Sequence, residues 1–199
     1  MSTTTTEMLR LQQVADRAAT RKNDPLRHKC FISYHVDDMH EVERFIEVFG
    51  SEFIARSVGV TVEDDFVNST DEDYIKRRIR EKYLTDSTVT IVLLGRCTWT
   101  RKFVDWEISS SLRDDINNKR SGLLVYPLPS MRNTAHLPKR IADNWSANNP
   151  ENSYAHYYRY PSSPSALRSD IETAFKDRIE KARFVDNSRA LQAVNLSCL

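Results

Sequence analysis

Glu107, with Trp99, Phe103 and Trp106 around it, is the residue of this chain whose type and neighbours best fit chemistry. Aromatic neighbours exclude water, desolvation raises a carboxyl pKa, and aromatic rings stack on heterocycles. The same glutamate could also be a surface residue paired with a neighbour, and some of the three aromatics could serve only to pack against a sheet. A second group is Ser33-Tyr34-His35, followed by Asp37 and Asp38. Its polar atoms could contact the phosphates or ribose of a ligand, or the segment could be a strand end turning into a helix cap. Asp38 and Glu41 have capping-box spacing, so the two aspartates read as caps first and ligands second.

The elements that must position these residues follow from the hydrophobic pattern. Residues 88–94 (TVTIVLL) form a β-branched apolar run stopped by Gly95, and a helix-like stretch follows in which Val104, Ile108 and Leu112 recur every four residues. Glu107 stands about 100° from the middle of that apolar face, taking about 100° per residue. Strands are also expected at residues 29–34, 57–62, 122–128 and 154–160. Helices are expected at 7–19, over the stripe Val42, Phe45, Ile46, Phe49 and Phe53, at 71–84, and from Pro164 along Leu167, Ile171, Ala174, Phe175 and Ile179. The leading helix would be capped by one of its threonines and ended by Arg21 to Asp24 and Pro25. Five alternations of strand and helix predict a parallel sheet covered on both faces, of flavodoxin-like order 2-1-3-4-5. In that order the carboxyl ends of strands 1 and 3 meet at the switch point, where open α/β sheets bind ligands, so His35 and Glu107 would converge on one crevice.

The domain organisation read from this pattern is a leading helix and linker over 1–27, a domain over 28–185 with an irregular insertion at 129–153, and a weakly patterned tail over 186–199. A net charge of +1 argues against a nucleic-acid partner bound through bulk charge. The basic run Lys76-Arg77-Arg78-Ile79-Arg80 is flanked by acids and reads as a solvated helix face. Cys30, Cys97 and Cys198 are widely spaced, which points to no disulfide framework and no metal finger and fits a reducing, cytoplasmic setting. No membrane span and no signal-type hydrophobic region is expected. His28, His40, His136 and His156 lack metal-like spacing, and neither G-x-G-x-x-G nor G-x-x-x-x-G-K-S/T occurs, so neither a metal nor a bound cofactor is expected. Ser109-Ser110-Ser111 has no neighbouring base and reads as a small-residue helix face. A receiver-type phosphoacceptor domain would need an aspartate where Leu94-Gly95-Arg96 stands.

Two segments carry a resemblance: the first strand KCFISYH with the following Asp37-Asp38, and the block DYIKRRIREKYLTDSTVTIVLLGRCTWTRKFVDWEI. Over about residues 28–128 they resemble a Toll/interleukin-1 receptor (TIR) domain of the bacterial kind. Residues 99–108 are similar to the pattern aromatic-x-R-R/K-W/F-V-x-Y/W-E-I of the small TIR-like protein of Thoeris anti-phage defence systems. The resemblance implies cleavage of NAD⁺, as substrate rather than cofactor, at the nicotinamide–ribose bond, with Glu107 as the essential carboxylate. It implies a cyclised or conjugated ADP-ribose signal acting on a separate effector protein. Phe31, Ser33, Tyr34, His35, Asp37, Trp99 and Phe103 are the expected substrate-binding residues, and homo-oligomerisation is left open. The chain departs from the family at residues 63–70, which have no glycine or proline near the tip of a loop that in many relatives helps assemble a filament. Two other readings stand beside this one: a non-catalytic TIR-like scaffold, and a nucleoside deoxyribosyltransferase-like enzyme, which also uses a glutamate on such a sheet.

Overall fold

Apolar alternation along the strands decides which helix covers which face of the sheet. A computed structural model describes residues 3–20, 27–56, 59–114, 119–132 and 135–198. Its strands are β1 (Lys29–Ser33), β2 (Ile54–Arg56), β3 (Val89–Leu94), β4 (Gly122–Pro127) and β5 (Ala155–Tyr157). All pairings are parallel and the order is β2-β1-β3-β4-β5, the expected flavodoxin-like arrangement. β3 and β4 are buried at every position, as strands covered on both faces must be. Cys30 and Ile32 of β1, with Ile91 and Leu93 of β3, face helices α1 (Thr3–Thr20), α2 (Met39–Phe49) and α6 (Pro164–Glu180). Phe31 of β1, with Val92 and Leu94 of β3, faces α3 (Glu72–Lys82), α4 (Lys102–Leu112) and α5 (Lys139–Asn144). The period of two along β1 therefore turns Ser33 toward α4. No helix among the described residues is long and apolar enough to cross a membrane.

Several expectations are corrected. The second strand is Ile54–Arg56, not 57–62. It pairs with β1 through Ile54, Ala55 and Arg56, and the valine-rich run beyond it turns away, because the Val60 N–H bonds to a side chain instead of a neighbouring strand. Among the described residues α1 runs from Thr3, so Thr4, Thr5 and Thr6 lie inside the helix. The residues expected to end it, Arg21 to Asp24 and Pro25, lie outside the described residues, as do residues 57 and 58. α1 also shields the sheet edge, where Gln12 Nε2 donates to the Ala55 carbonyl (3.0 Å). Asp38 makes no capping bond to α2. β5 is three residues long rather than seven. Arg80, expected on a solvated face, is buried and donates to the carbonyls of Ser110 and Ser111 (3.3 and 3.4 Å). Those carbonyls belong to the last turn of α4, which has no further helix to bond to and accepts a cation well.

The insertion and the tail meet on one buried ion pair. α5 in the insertion carries Arg140, which has no exposed surface. Its guanidinium reaches Asp105 of α4 through Nε and Nη2 (2.9 and 3.1 Å) and donates to the tail carbonyls of Arg189 and Ala190 (3.0 and 3.1 Å). The Gln192 N–H donates back to Asp105 Oδ2 (2.9 Å). Cys97 and Cys198 are joined by a disulfide across 101 residues, contrary to the reading that the cysteine spacing points to no disulfide framework and a reducing setting. Their spacing carried no signal for it, because the contact exists only once the tail has folded back over α4. Removing one partner of a buried pair leaves a bare charge, so Arg140→Ala should lower unfolding stability by about 3–5 kcal/mol. A joint replacement of Arg140 and Asp105 by leucine should recover only part of that loss, because the Arg189 and Ala190 carbonyls and the Gln192 N–H lose their partners. Urea denaturation midpoints of the three proteins check this.

Candidate active site

Glu107 lies on α4 at the carboxyl ends of β1 and β3, and only 5% of it is exposed. α4 is buried around most of its circumference, so the reading of Glu107 as a surface residue fails. Each carboxylate oxygen has one defined donor. The Ser33 hydroxyl donates to Oε2 (2.7 Å) and the Val60 N–H donates to Oε1 (2.9 Å). Behind it, the Ser111 hydroxyl bonds to the Glu107 carbonyl (2.8 Å) and to Thr90 Oγ1 of β3 (2.7 Å). Of the three serines of this helix, Ser111 meets the sheet, Ser109 bonds to Asn187 of the tail (3.0 Å) and Ser110 donates back to the Trp106 carbonyl (2.7 Å).

Burial pushes the Glu107 carboxyl up to about 7. The bonds from Ser33 and Val60 work against that rise, and the Asp64 carboxylate adds to it. At neutral pH the group therefore exists in both protonation states. Gly59 makes the arrangement sterically feasible: a Cβ there would stand 2.2 Å from Glu107 Oε1.

Glu107 opens into a cavity of about 290 Å³. That is near the lower end of the range for small-molecule sites. Tyr34, His35, Phe103 and Glu107 line it, together with Met8 of α1, Val60, Arg101 and Asn195 of the tail. The remaining sequence-derived candidates lie elsewhere. Ser33 sits beneath Glu107 and is bonded to it, and Phe31 is a fully buried core residue beside Trp106. Asp37 points out to solvent, with its carboxylate 3.1 Å from His35 Nε2. Trp99 does not line the cavity and stands against His136, with ring centroids 5.5 Å apart. Trp106 donates through Nε1 to the Gln192 carbonyl of the tail (2.9 Å). Asp38 packs against Gly95, where a Cβ would meet its carboxylate at 2.0 Å, and Thr98 donates to it (3.3 Å). Burial raises the Asp38 carboxyl to about 6.

Sequence reasoning missed Gly59, Val60, Arg101, Asn195 and Met8. Gly59 carried a usable signal, being a glycine inside a valine-rich run, the mark of a close backbone approach. Asn195 and Met8 carried none, since nothing local links either terminus to the sheet. Among the described residues no group of three His, Cys, Asp or Glu side chains could hold a metal ion.

Two measurements test this geometry. The folded chain keeps the Glu107 proton up to about pH 7, while the unfolded chain loses it near the ordinary value of 4.5. Glu107 therefore makes stability fall as pH rises from 4.5 to 7, by about 3 kcal/mol in total, and contributes no further change above that. Glu107→Gln should flatten this part of the stability–pH curve and be the more stable protein at about pH 8, as read from denaturation midpoints. Gly59→Ala should displace the Glu107 carboxylate and depress any activity that depends on it by about 100-fold or more, a loss typical of misplaced catalytic groups. Its unfolding midpoint should fall only slightly, because Gly59 lies in a loop.

Comparison with known proteins agrees with the sheet order. No curated protein matches the chain. Residues 31–133, just over half of it, match the family described as Thoeris protein ThsB, TIR-like domain. The matched span runs from β1 through β4 and includes α4 with Glu107. On this match, and with the parallel order β2-β1-β3-β4-β5 in place, the chain belongs to the ThsB TIR-like domain family.

Proposed function

We propose that this protein cleaves NAD⁺ at the nicotinamide–ribose bond and turns the ADP-ribosyl part into a cyclic or conjugated signal for a separate effector protein. The observation that carries this reading is the buried Glu107 carboxylate, fixed by Ser33 and Val60 at the mouth of a cavity where strands β1 and β3 end. Nicotinamide leaves as a neutral ring from a cationic one, so no acid has to protonate it. What needs stabilising is the oxocarbenium-like ribose that remains. A carboxylate held on both oxygens by fixed donors is already oriented before the charge develops, which is the condition for electrostatic catalysis. A site of low polarity strengthens that attraction. Phe103 is the aromatic ring, besides Tyr34, that lines the cavity where the nicotinamide or the base would sit. Family membership supports signalling through NAD⁺ and a downstream effector.

The scaffold reading is less well supported. A binding module has no use for a carboxylate whose pKa is lifted by burial beside a cavity, whereas catalytic sites commonly contain one. The nucleoside deoxyribosyltransferase-like reading is distinguished by substrate, since such an enzyme acts on nucleosides that carry no phosphate.

The test is nicotinamide release from NAD⁺ by the wild-type chain and by Glu107→Gln, with deoxynucleosides as the competing substrate. Glu107→Gln keeps size and hydrogen bonding but removes the charge, so release should fall by about 100-fold or more while NAD⁺ binding changes far less. The charged form is the active one, so the rate should rise with pH along a limb centred near pH 7, where Glu107 loses its proton. Equal rates for the two proteins, or turnover of deoxynucleosides alone, would overturn the proposal.

A further inference from the structure

Arg101 lines the same cavity as Glu107, and no other arginine or lysine stands among the described residues that line it. Its Nε is buried with no hydrogen-bond partner, and no described carboxylate forms an ion pair with its guanidinium. It is close enough to lower the pKa of His35, and it acts weakly on Asp38, whose carboxyl burial has already raised toward neutrality. A half-buried guanidinium without an ion pair is an expensive arrangement in a folded protein, and a ligand anion would relieve it.

The position of Arg101 is enforced by the tail. Gln192 Nε2 and the Leu196 N–H both donate to the Thr100 carbonyl (2.7 and 2.9 Å). The Lys102 N–H donates to Asn195 Oδ1 (2.9 Å), and Cys97 is tied to Cys198. The residues before and after Arg101 are therefore bonded to the last turns of the chain, while its side chain is left to the cavity. Resting on the function proposed above, we infer that Arg101 binds the diphosphate of a dinucleotide substrate, with the C-terminal segment as the clamp that holds it in place. Arg101 is the extended residue just before α4, and the five steps from Lys102 to Glu107 rise about 8 Å along the helix. Arg101 makes no ion pair with Glu107, so the cavity carries two separate opposite charges, a guanidinium just before α4 and a carboxylate on its second turn. A dinucleotide with a cationic ring and an anionic diphosphate has the matching polarity. A phosphate-free nucleoside offers nothing to the Arg101 end.

The experiment uses the full chain with two probes, ADP-ribose and nicotinamide riboside, in titration calorimetry, and follows nicotinamide release from NAD⁺ in parallel. Loss of charge-assisted hydrogen bonds to a phosphate predicts that Arg101→Gln weakens ADP-ribose binding by about 10- to 100-fold. Nicotinamide riboside binding should stay within about twofold, and Arg101→Lys, which keeps the charge but not the fork, should recover part of the loss. In turnover the defect should appear mainly as a raised KM for NAD⁺. An equal loss for both probes makes Arg101 structural and overturns the inference, as does unchanged ADP-ribose binding in Arg101→Gln. If the wild-type chain binds ADP-ribose in an Arg101-dependent way but releases no nicotinamide, the diphosphate site stands and the NAD⁺-cleavage reading falls. If NAD⁺ is turned over with no dependence on Arg101, the NAD⁺-cleavage reading stands and the diphosphate site falls. Failure of the wild-type chain to bind either probe removes both.

Discussion

The ion pair of Asp105 with Arg140 has almost no access to solvent, and three separate segments of chain meet on it. Charges buried this way are tolerated only when their remaining hydrogen-bonding capacity is filled. Here the insertion supplies the guanidinium, α4 supplies the carboxylate, and the tail supplies two carbonyls and the Gln192 N–H. Satisfying the pair therefore forces the tail and α5 onto the outer side of α4. That contact buries the face of α4 that in an open sheet would meet water, while Glu107, two residues on, is buried on the other side against Ser33 and Val60.

Seclusion of Glu107 has a chemical consequence. The carboxylate loses solvation and becomes harder to ionise, while two directed donors keep some polar contact for it. The balance sets its titration near neutrality, which is where a group must titrate to be ionised in a useful fraction and still respond strongly to a developing cation. Ser33 matters here through its place at the end of β1, on the face that alternation turns toward α4. Val60 matters through its main chain alone. The same closure defines the cavity: α1 contributes Met8 and the tail contributes Asn195, so both ends of the chain wall a site whose chemistry sits on β1 and α4.

The sheet order, the alternation of strands and helices and the convergence of β1 and β3 on one crevice were all legible in the sequence, because apolar period reports burial directly. Glu107 was legible as a candidate for the same reason: its helix follows a strand that is apolar throughout. The boundaries of β2 were not, since residues 57–62 have strand composition and the competing use of the Val60 N–H by a distant carboxylate leaves no mark on local pattern. Arg80 misled in the same way, because a basic residue on a helix looks solvated until the carbonyls of another helix end stand opposite it.

The architecture and the helix that carries the carboxylate are properties of local pattern, since they depend on periods of two and of about four residues that any window of the chain displays. The environment of that carboxylate is a property of the closed fold. Its two donors, from Ser33 and Val60, and the covering tail with Cys198 come from segments tens of residues away from it. Gly59 alone left a local mark, as a glycine in a valine-rich run; the other contacts depend on how the faces of the fold close upon one another, and no local spacing encodes them.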